Sequence, residues 1–165
     1  MLRHILIAVW VATGCLAAAL SADTEGRTLF VDPNAGSDDA TGRRDSPVGS
    51  IARALALATG GETIVLADGQ YPAVSIRRKY ARQVTLRAAH PLRAAMIEGM
   101  KVSECRNIRL EGLCFTWTPE TRPRRNRQAF LEIDRSSRIM VTGCTFSDDP
   151  NRDVFAGAAI PVRRS

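Results

Sequence analysis

The sequence predicts an all-β fold, a right-handed parallel β-helix of about three rungs with an amphipathic capping helix at its amino-terminal end. Short segments that alternate apolar and polar residues recur along residues 62–146, which is typical of strands with one buried face. An apolar pair returns in these segments at steps of 24 and 31 residues. A solenoid fixes its stacked positions and lets its turns vary in length, so unequal steps fit a coil of strands.

The last two copies of the repeat can be superimposed residue by residue. When residues 107–115 are laid over residues 138–146, four pairs align: Ile108 with Ile139, Leu110 with Val141, Gly112 with Gly143 and Phe115 with Phe146. In an earlier copy, Val84 and Leu86 take the places of Ile108 and Leu110. A β-sandwich is the competing fold, but it does not explain a glycine at the same offset after each strand. We expect that glycine at a bend between two faces of a rung.

Residues 1–22 are expected to be a bacterial secretory signal peptide. Arg3 and His4 form a positive leader, and an uncharged run continues to Leu20 before small residues at the cleavage site. This run is shorter than the roughly twenty residues of a membrane span, so an uncleaved anchor is the weaker alternative. Lipid attachment at Cys15 is disfavoured because the apolar run continues past it. The protein is therefore expected to be secreted or periplasmic, with no stable membrane insertion after cleavage.

Residues 23–61 are expected to hold a strand, a turn and the capping helix. A strand at residues 28–31 is followed by a segment rich in turn formers. Residues 51–58 place apolar side chains at helical spacing, with Ser50 able to begin the helix and Gly60 to end it. We expect this helix to cover both the open core and the unpaired strand edge of the first rung, because an exposed edge invites aggregation.

Residues 62–165 are expected to form the rungs. The last residues, 153–165, read as the start of another strand, and no terminal cap is visible. Solenoids need about three repeats and end caps for stability. We therefore expect the β-helix to be incomplete at its carboxyl end, as in a truncated chain, with missing rungs or a partner at that end.

Several stretches before and within the first rung follow an order known from one protein family. They are LFVDPNAGSD at residues 29–38, Ser46-Pro47, SIARA at residues 50–54, GETIV at residues 61–65 and Gly69-Gln-Tyr71. In this order they resemble the amino-terminal part of pectate-lyase-like parallel β-helix proteins, closest to the alginate lyase and chondroitinase B type, polysaccharide lyase family six. The resemblance implies a secreted protein directed at acidic, uronate-containing polysaccharide.

The resemblance also implies a catalytic apparatus of which no residue can be matched here. In that family a calcium ion neutralises the uronate carboxylate, a lysine removes the C5 proton and an arginine assists the leaving oxygen. The only lysines of this chain, Lys79 and Lys101, lie in the first rungs, and the calcium-binding acidic motif is not recognisable. We therefore assign no catalytic residue, metal site or cofactor to this chain. Calcium is a cofactor that a full-length relative could carry. We expect no detectable lyase activity from this chain.

The charge balance favours an acidic partner. The chain has 23 lysines and arginines against 17 acidic residues, a net charge of +6. Guanidinium groups bind carboxylates and sulfates with two hydrogen bonds, so clustered arginines are candidate substrate-binding residues. The candidates are Arg122, Arg124, Arg125 and Arg127 in a loop between two repeats, together with Arg77, Arg78 and Lys79.

A solvated basic surface is the alternative interpretation for both clusters. Acidic polysaccharide is the expected partner. Nucleic acid is not, because an exported protein rarely meets it and no nucleic-acid-binding motif is present. A non-catalytic carbohydrate-binding or cell-surface module is the alternative to a lyase.

The cysteines and the remaining histidine are weaker candidates. Cys144 is expected to point into the core, Cys114 away from it, and Cys105 to lie at a turn. At most one disulfide can form, and a Cys105–Cys114 bridge and three free thiols both stay open. His90 is a candidate acid–base group, with a surface turn residue as the alternative.

Overall fold

The chain is described here by a computed structural model, which covers residues 26–90, 95–116, 129–147 and 162–163. The predicted signal peptide and the arginine-rich loop at residues 120–127 lie outside the described residues. One α-helix and thirteen β-strands occur in the described part of the chain, and every pairing between these strands is parallel.

The strands form three sheets, which we name A, B and C. Sheet A contains β1 (Thr28–Val31), β2 (Thr63–Leu66), β5 (Lys79–Ala88), β8 (Arg106–Glu111) and β11 (Ser137–Thr142). Sheet B contains β3 (Gly69–Tyr71), β6 (Ala95–Ile97), β9 (Cys114–Thr116) and β12 (Thr145–Ser147). Sheet C contains β4 (Val74–Ile76), β7 (Met100–Ser103), β10 (Leu131–Asp134) and β13 (Val162–Arg163).

From β2 onward the chain passes through sheets A, B and C in that order and then returns to sheet A. Each strand therefore pairs with its equivalent from the turn before. This strand order is that of a parallel β-helix, and it differs from a β-sandwich, whose sheets are antiparallel. Counted by strands there are four passes, the last ending in the two-residue β13, where the sequence predicted about three rungs. The right-handed sense of the coil stays a prediction.

The register predicted from the repeat is confirmed. Ile108 pairs with Val84 on one side and Ile139 on the other, and Leu110 likewise pairs with Leu86 and Val141. In sheet B, Phe115 pairs with Phe146, and their rings stack with centroids 5.1 Å apart. The inward side chains thus lie on like side chains in the next turn.

Gly112 and Gly143 lie where the chain turns from sheet A into sheet B, as the sequence predicted. Their φ angles are 63° and 61°, in the left-handed region that side chains with a Cβ rarely adopt. Two residues on the opposite corner, between sheets C and A, use the same region: Glu104 and Arg135, with φ of 53° and 42°. The third and fourth passes therefore use the same backbone conformation at each of these two corners.

The helix α1 (Ile51–Leu57) lies within the predicted segment and is shorter than it. The hydroxyl oxygen of Ser50 accepts a hydrogen bond from the backbone N–H of Arg53, as an N-cap does. Ile51, Ala54 and Leu55 are buried, and the helix contacts β1, β2 and β4. The hydroxyl of Tyr80 donates to the carbonyl of Leu55 at 2.9 Å, which ties β5 to the helix. The capping function of α1 stays a prediction.

The hydrogen-bonding edge of β1 is covered by a different segment from the one expected. This segment comprises residues 42–48. The backbone N–H of Phe30 donates a hydrogen bond to the carbonyl oxygen of Gly42 at 2.8 Å. The N–H of Val48 donates to the carbonyl oxygen of Phe30 at 3.0 Å, and the N–H of Asp32 to that of Val48 at 2.9 Å. The expectation that the helix covers this edge was therefore wrong, because a helix has no free backbone groups along its side and an extended segment does. A Cβ at Gly36 would overlap the carbonyl oxygen of Val48, which explains the glycine in the loop between β1 and that segment.

Glu62 is a buried carboxylate at the junction of α1 and β2. It is 1% exposed, and it accepts hydrogen bonds from the backbone N–H and hydroxyl of Thr59 and from the N–H of Gly60 at 2.7–2.9 Å. Burial, the largest single effect, raises the pKa of Glu62, but the hydrogen bonds together outweigh it and leave the pKa below the ordinary value of 4.5.

Leu110→Ala should destabilise the coil much more than Met140→Ala. Leu110 is fully buried between Leu86 and Val141, so its truncation leaves a cavity and should cost about 2–5 kcal/mol of unfolding free energy. Met140 lies on the outward face of the same sheet at 47% exposure, where truncation should cost within about 0.5 kcal/mol. Urea denaturation of both variants measures the difference. Equal losses would contradict the assigned register.

Glu62→Gln should lower the unfolding free energy near neutral pH by about 1–3 kcal/mol, because an amide cannot accept all of these hydrogen bonds. The lowered pKa means that the carboxylate stabilises the fold above the pKa of the unfolded chain. That stabilisation is lost as pH falls through the folded-state pKa. Denaturation at neutral and acidic pH should therefore give a shallower pH dependence for the variant. Glu98→Gln, at an exposed hydrogen bond with Gln70, is the matched control.

Candidate functional site

The outward face of sheet A carries side chains that alternate with those of the core. Phe30, Val65, Arg87, Glu111 and Thr142 occupy one register row across the five strands, which we call the Arg87 row. Because neighbouring strands lie about 4.8 Å apart, side chains of this row two strands apart can reach one ligand. The row therefore determines which groups meet on this surface.

A cleft of about 550 Å³ lies over the end of this row that is formed by β1, β2 and β5. Its lining includes three members of the row, Phe30, Val65 and Arg87. Arg44 and Pro47 line it from the segment that covers β1. Its volume lies within the roughly 300–1,000 Å³ typical of small-molecule sites. Sequence reasoning missed this cleft because its residues come from separate parts of the chain.

The two arginines of the cleft have no carboxylate partner among the described residues. The guanidinium carbon of Arg44 lies 5.2 Å from the centroid of the Phe30 ring, a cation–π contact. Glu111, the neighbour of Arg87 in its row, instead lies with its Oε2 3.0 Å from Nε of Arg109. Arg44 and Arg87 are both exposed, so each can bind an anion from solvent.

His90 also borders the cleft, and the structure gives it a partner that the sequence did not indicate. Its Nδ1 lies 2.9 Å from Oδ1 of Asp68, and both side chains are exposed. The two residues are 22 positions apart and meet because successive turns bring the ends of β2 and β5 together. The carboxylate fixes the orientation of the ring, so Nε2 is the nitrogen left for another partner.

The first predicted cluster, Arg77, Arg78 and Lys79, lies at the corner between β4 and β5, at the opposite end of β5 from the cleft. Arg77 donates two hydrogen bonds to Oε2 of Glu104, at 2.6 and 3.1 Å, and Arg135 lies 3.3 Å from Oε1 of the same residue. The hydrogen bond from Arg77, then the charges of the two arginines, hold the pKa of Glu104 below its ordinary value. Arg77 is thus paired, whereas Arg78 and Lys79 are exposed and have no carboxylate partner among the described residues.

The second predicted cluster lies outside the described residues, so Arg122, Arg124, Arg125 and Arg127 stay predictions. The two lysines do not meet the arginines of the cleft. Lys79 begins β5, whereas Lys101 lies on sheet C and forms an ion pair with Glu132 at 3.3 Å. In the described ranges no three histidine, cysteine or acidic side chains come close enough to hold a metal ion.

All three cysteines in the described residues are free thiols. Cys105 lies at a turn, as expected, and its Sγ donates to the carbonyl of Ile76 at 3.1 Å. Burial raises the pKa of Cys105 and of Cys144, which packs against the core. Cys114 lies outside the core cluster but is only 4% exposed, between Met96 and Thr145 of the neighbouring strands.

Comparison with known proteins gives two partial matches. Residues 34–79 match a family described only as a protein of unknown function, DUF1565. A stretch of 86 residues, 52% of this chain, is 40% identical to a protein of Emericella nidulans named pectate lyase PEL9. The match covers 19% of that relative, so the chain spans less than a fifth of its length. No solved structure matches the chain.

These matches and the strand order together support a pectate-lyase-like parallel β-helix. The helix α1, the one helix among the described residues, is not long and apolar enough to cross a membrane. The finer likeness to the alginate lyase and chondroitinase B type rests on the sequence motifs alone.

Glu104→Gln should strengthen retention on an immobilised polyuronate, because it releases the charge of Arg77 and removes one of the two carboxylate partners of Arg135 at one corner of the coil. The variant should elute at higher salt than the unmodified protein. Glu132→Gln changes net charge equally but releases only Lys101, on another sheet. An equal shift in both variants would show that net charge, and not this corner, governs retention.

Proposed function

We propose that the protein is a secreted β-helix protein of the polysaccharide-lyase type that binds acidic, uronate-containing polysaccharide. The observation that carries this proposal is the pair of exposed arginines, Arg44 and Arg87, that face one cleft without carboxylate partners among the described residues. Such guanidinium groups bind carboxylates with two parallel hydrogen bonds.

The substrate class is supported by two independent considerations. The motif order at residues 29–71 resembles polysaccharide lyases that act on uronate polymers, and the partially matching relative carries the name of a pectate lyase. The basic balance of the chain concentrates polyanions near its surface. The alginate and chondroitin type is the finer substrate proposal drawn from those motifs.

A non-catalytic carbohydrate-binding or cell-surface module is the second candidate. It is favoured by the placement of the two lysines, since β-elimination needs a base beside the C5 proton of the bound uronate. Lys101 is engaged by Glu132 on sheet C, and Lys79 lies at the far end of β5 from Arg87. Neither lysine therefore lies beside the arginines that would hold the carboxylate.

The full-length chain should be retained by immobilised polygalacturonate and should release no unsaturated product from polygalacturonate, alginate or chondroitin in the presence of calcium. Retention is measured by salt elution, and elimination by the ultraviolet absorbance of the double bond that it creates. Dextran, an uncharged polysaccharide, is the control matrix. Product formation would exclude the non-catalytic module and show that the chain is itself a lyase, and a failure to be retained by polygalacturonate would overturn the proposed function.

A further inference from the structure

We infer that the cleft over β1, β2 and β5 is a binding site for a single uronate residue, whose carboxylate is held between Arg44 and Arg87. The inference rests on the proposed function for the ligand class and adds the site and the residues that recognise it. It differs from both clusters that the sequence singled out.

Arg44 is oriented by Phe30 before any ligand binds. The guanidinium carbon lies 5.2 Å from the centroid of the ring, and this cation–π contact restricts the positions open to the side chain. A side chain held in this way loses less conformational entropy on binding than a free arginine. Phe30 is thus a positioning residue for Arg44.

Arg87 approaches the same space from the other side of Val65. Phe30, Val65 and Arg87 are consecutive members of the Arg87 row, so the backbone of Phe30, whose ring contacts Arg44, lies two strand spacings, about 10 Å, from that of Arg87. Long side chains from both sides can close on a carboxylate over that distance. Arg87 is available because it is exposed and has no carboxylate partner among the described residues.

Part of the cleft lining is apolar, which favours a sugar over an inorganic anion. Pro47, Ala67 and the exposed edge of Val65 belong to that part. The C–H groups of a sugar ring can pack on such a surface while its carboxylate meets the arginines. A phosphate or sulfate ion would leave most of the 550 Å³ unfilled.

One carboxylate also lines the cleft, and its oxygens are partly engaged. Oδ1 of Asp32 accepts hydrogen bonds from the backbone N–H groups of Asn34 and Ala35, at 2.8 and 3.0 Å. Its position at the β1 end leaves the space over Val65 between the two arginines. The ligand hydroxyls, and not its carboxylate, fit beside Asp32.

Isothermal titration of the full-length chain with trigalacturonate tests the site. Arg44→Gln and Arg87→Gln should each weaken binding about tenfold, the loss of one charge-assisted hydrogen-bonding group. Arg82→Gln is the matched control, because Arg82 is an exposed arginine of the same strand outside the cleft. Unchanged circular dichroism and denaturation midpoints establish that the variants fold.

The methyl ester of trigalacturonate and inorganic phosphate separate carboxylate recognition from other binding. We expect weaker binding of the ester and no competition by phosphate at equal concentration. Equal affinity of acid and ester would overturn the inference. So would equal affinity of the two cleft variants and the unmodified protein. In that case retention on the polygalacturonate column would show that the proposed function stands and the ligand binds elsewhere, and loss of retention would show that both fail.

Discussion

The in-register pairing of parallel strands is the constraint on which the rest of the structure depends. Each strand of sheet A is hydrogen-bonded to the strand one turn away, and the alternation of side chains then divides every strand into an inward and an outward row. Leu29, Ile64, Leu86, Leu110 and Val141 form one inward row. A slip of one residue would turn Arg87 into the core and expose Leu86, so packing fixes the register strongly.

Register also decides which charges meet. Residues at the same position of successive turns lie within reach of each other, whatever their separation along the chain. This brings Glu104 between Arg77 and Arg135 at the corner from sheet C to sheet A. On the outward face of sheet A, Glu111 lies beside Arg109 of its own strand, and Arg87 has no carboxylate partner among the described residues. The same geometry therefore pairs Arg77 of one predicted basic cluster with a carboxylate and leaves Arg87 without one among the described residues.

The fold could be predicted from the sequence because its signals are local or repeat in register. The sequence shows the alternation of apolar and polar residues around Ile108 and Ile139 and a glycine at the same distance after each of them. The strand pairing and the backbone angles confirm both signals. The same superposition places Glu104 over Arg135, so their proximity could also have been read from the repeat. The segment that covers β1 could not, because its contacts depend on the path of an irregular loop.

The cleft was beyond sequence reasoning for a physical reason. Arg44 contacts Phe30 because of the path of an irregular loop. Arg87 lies near the same space because β1 pairs with β2 and β2 with β5, and the chain segments that connect these strands differ in length. Neither relation leaves a periodic signal. Dense runs of arginine attract attention in a sequence, but a run at a stacked corner meets the charges of the turns above and below it. Arg87 on an outward row and Arg44 on the covering segment have no carboxylate partner among the described residues and keep their charge available for a ligand. On a coil of this kind the accessible cation matters more for recognition than the number of cations in a segment.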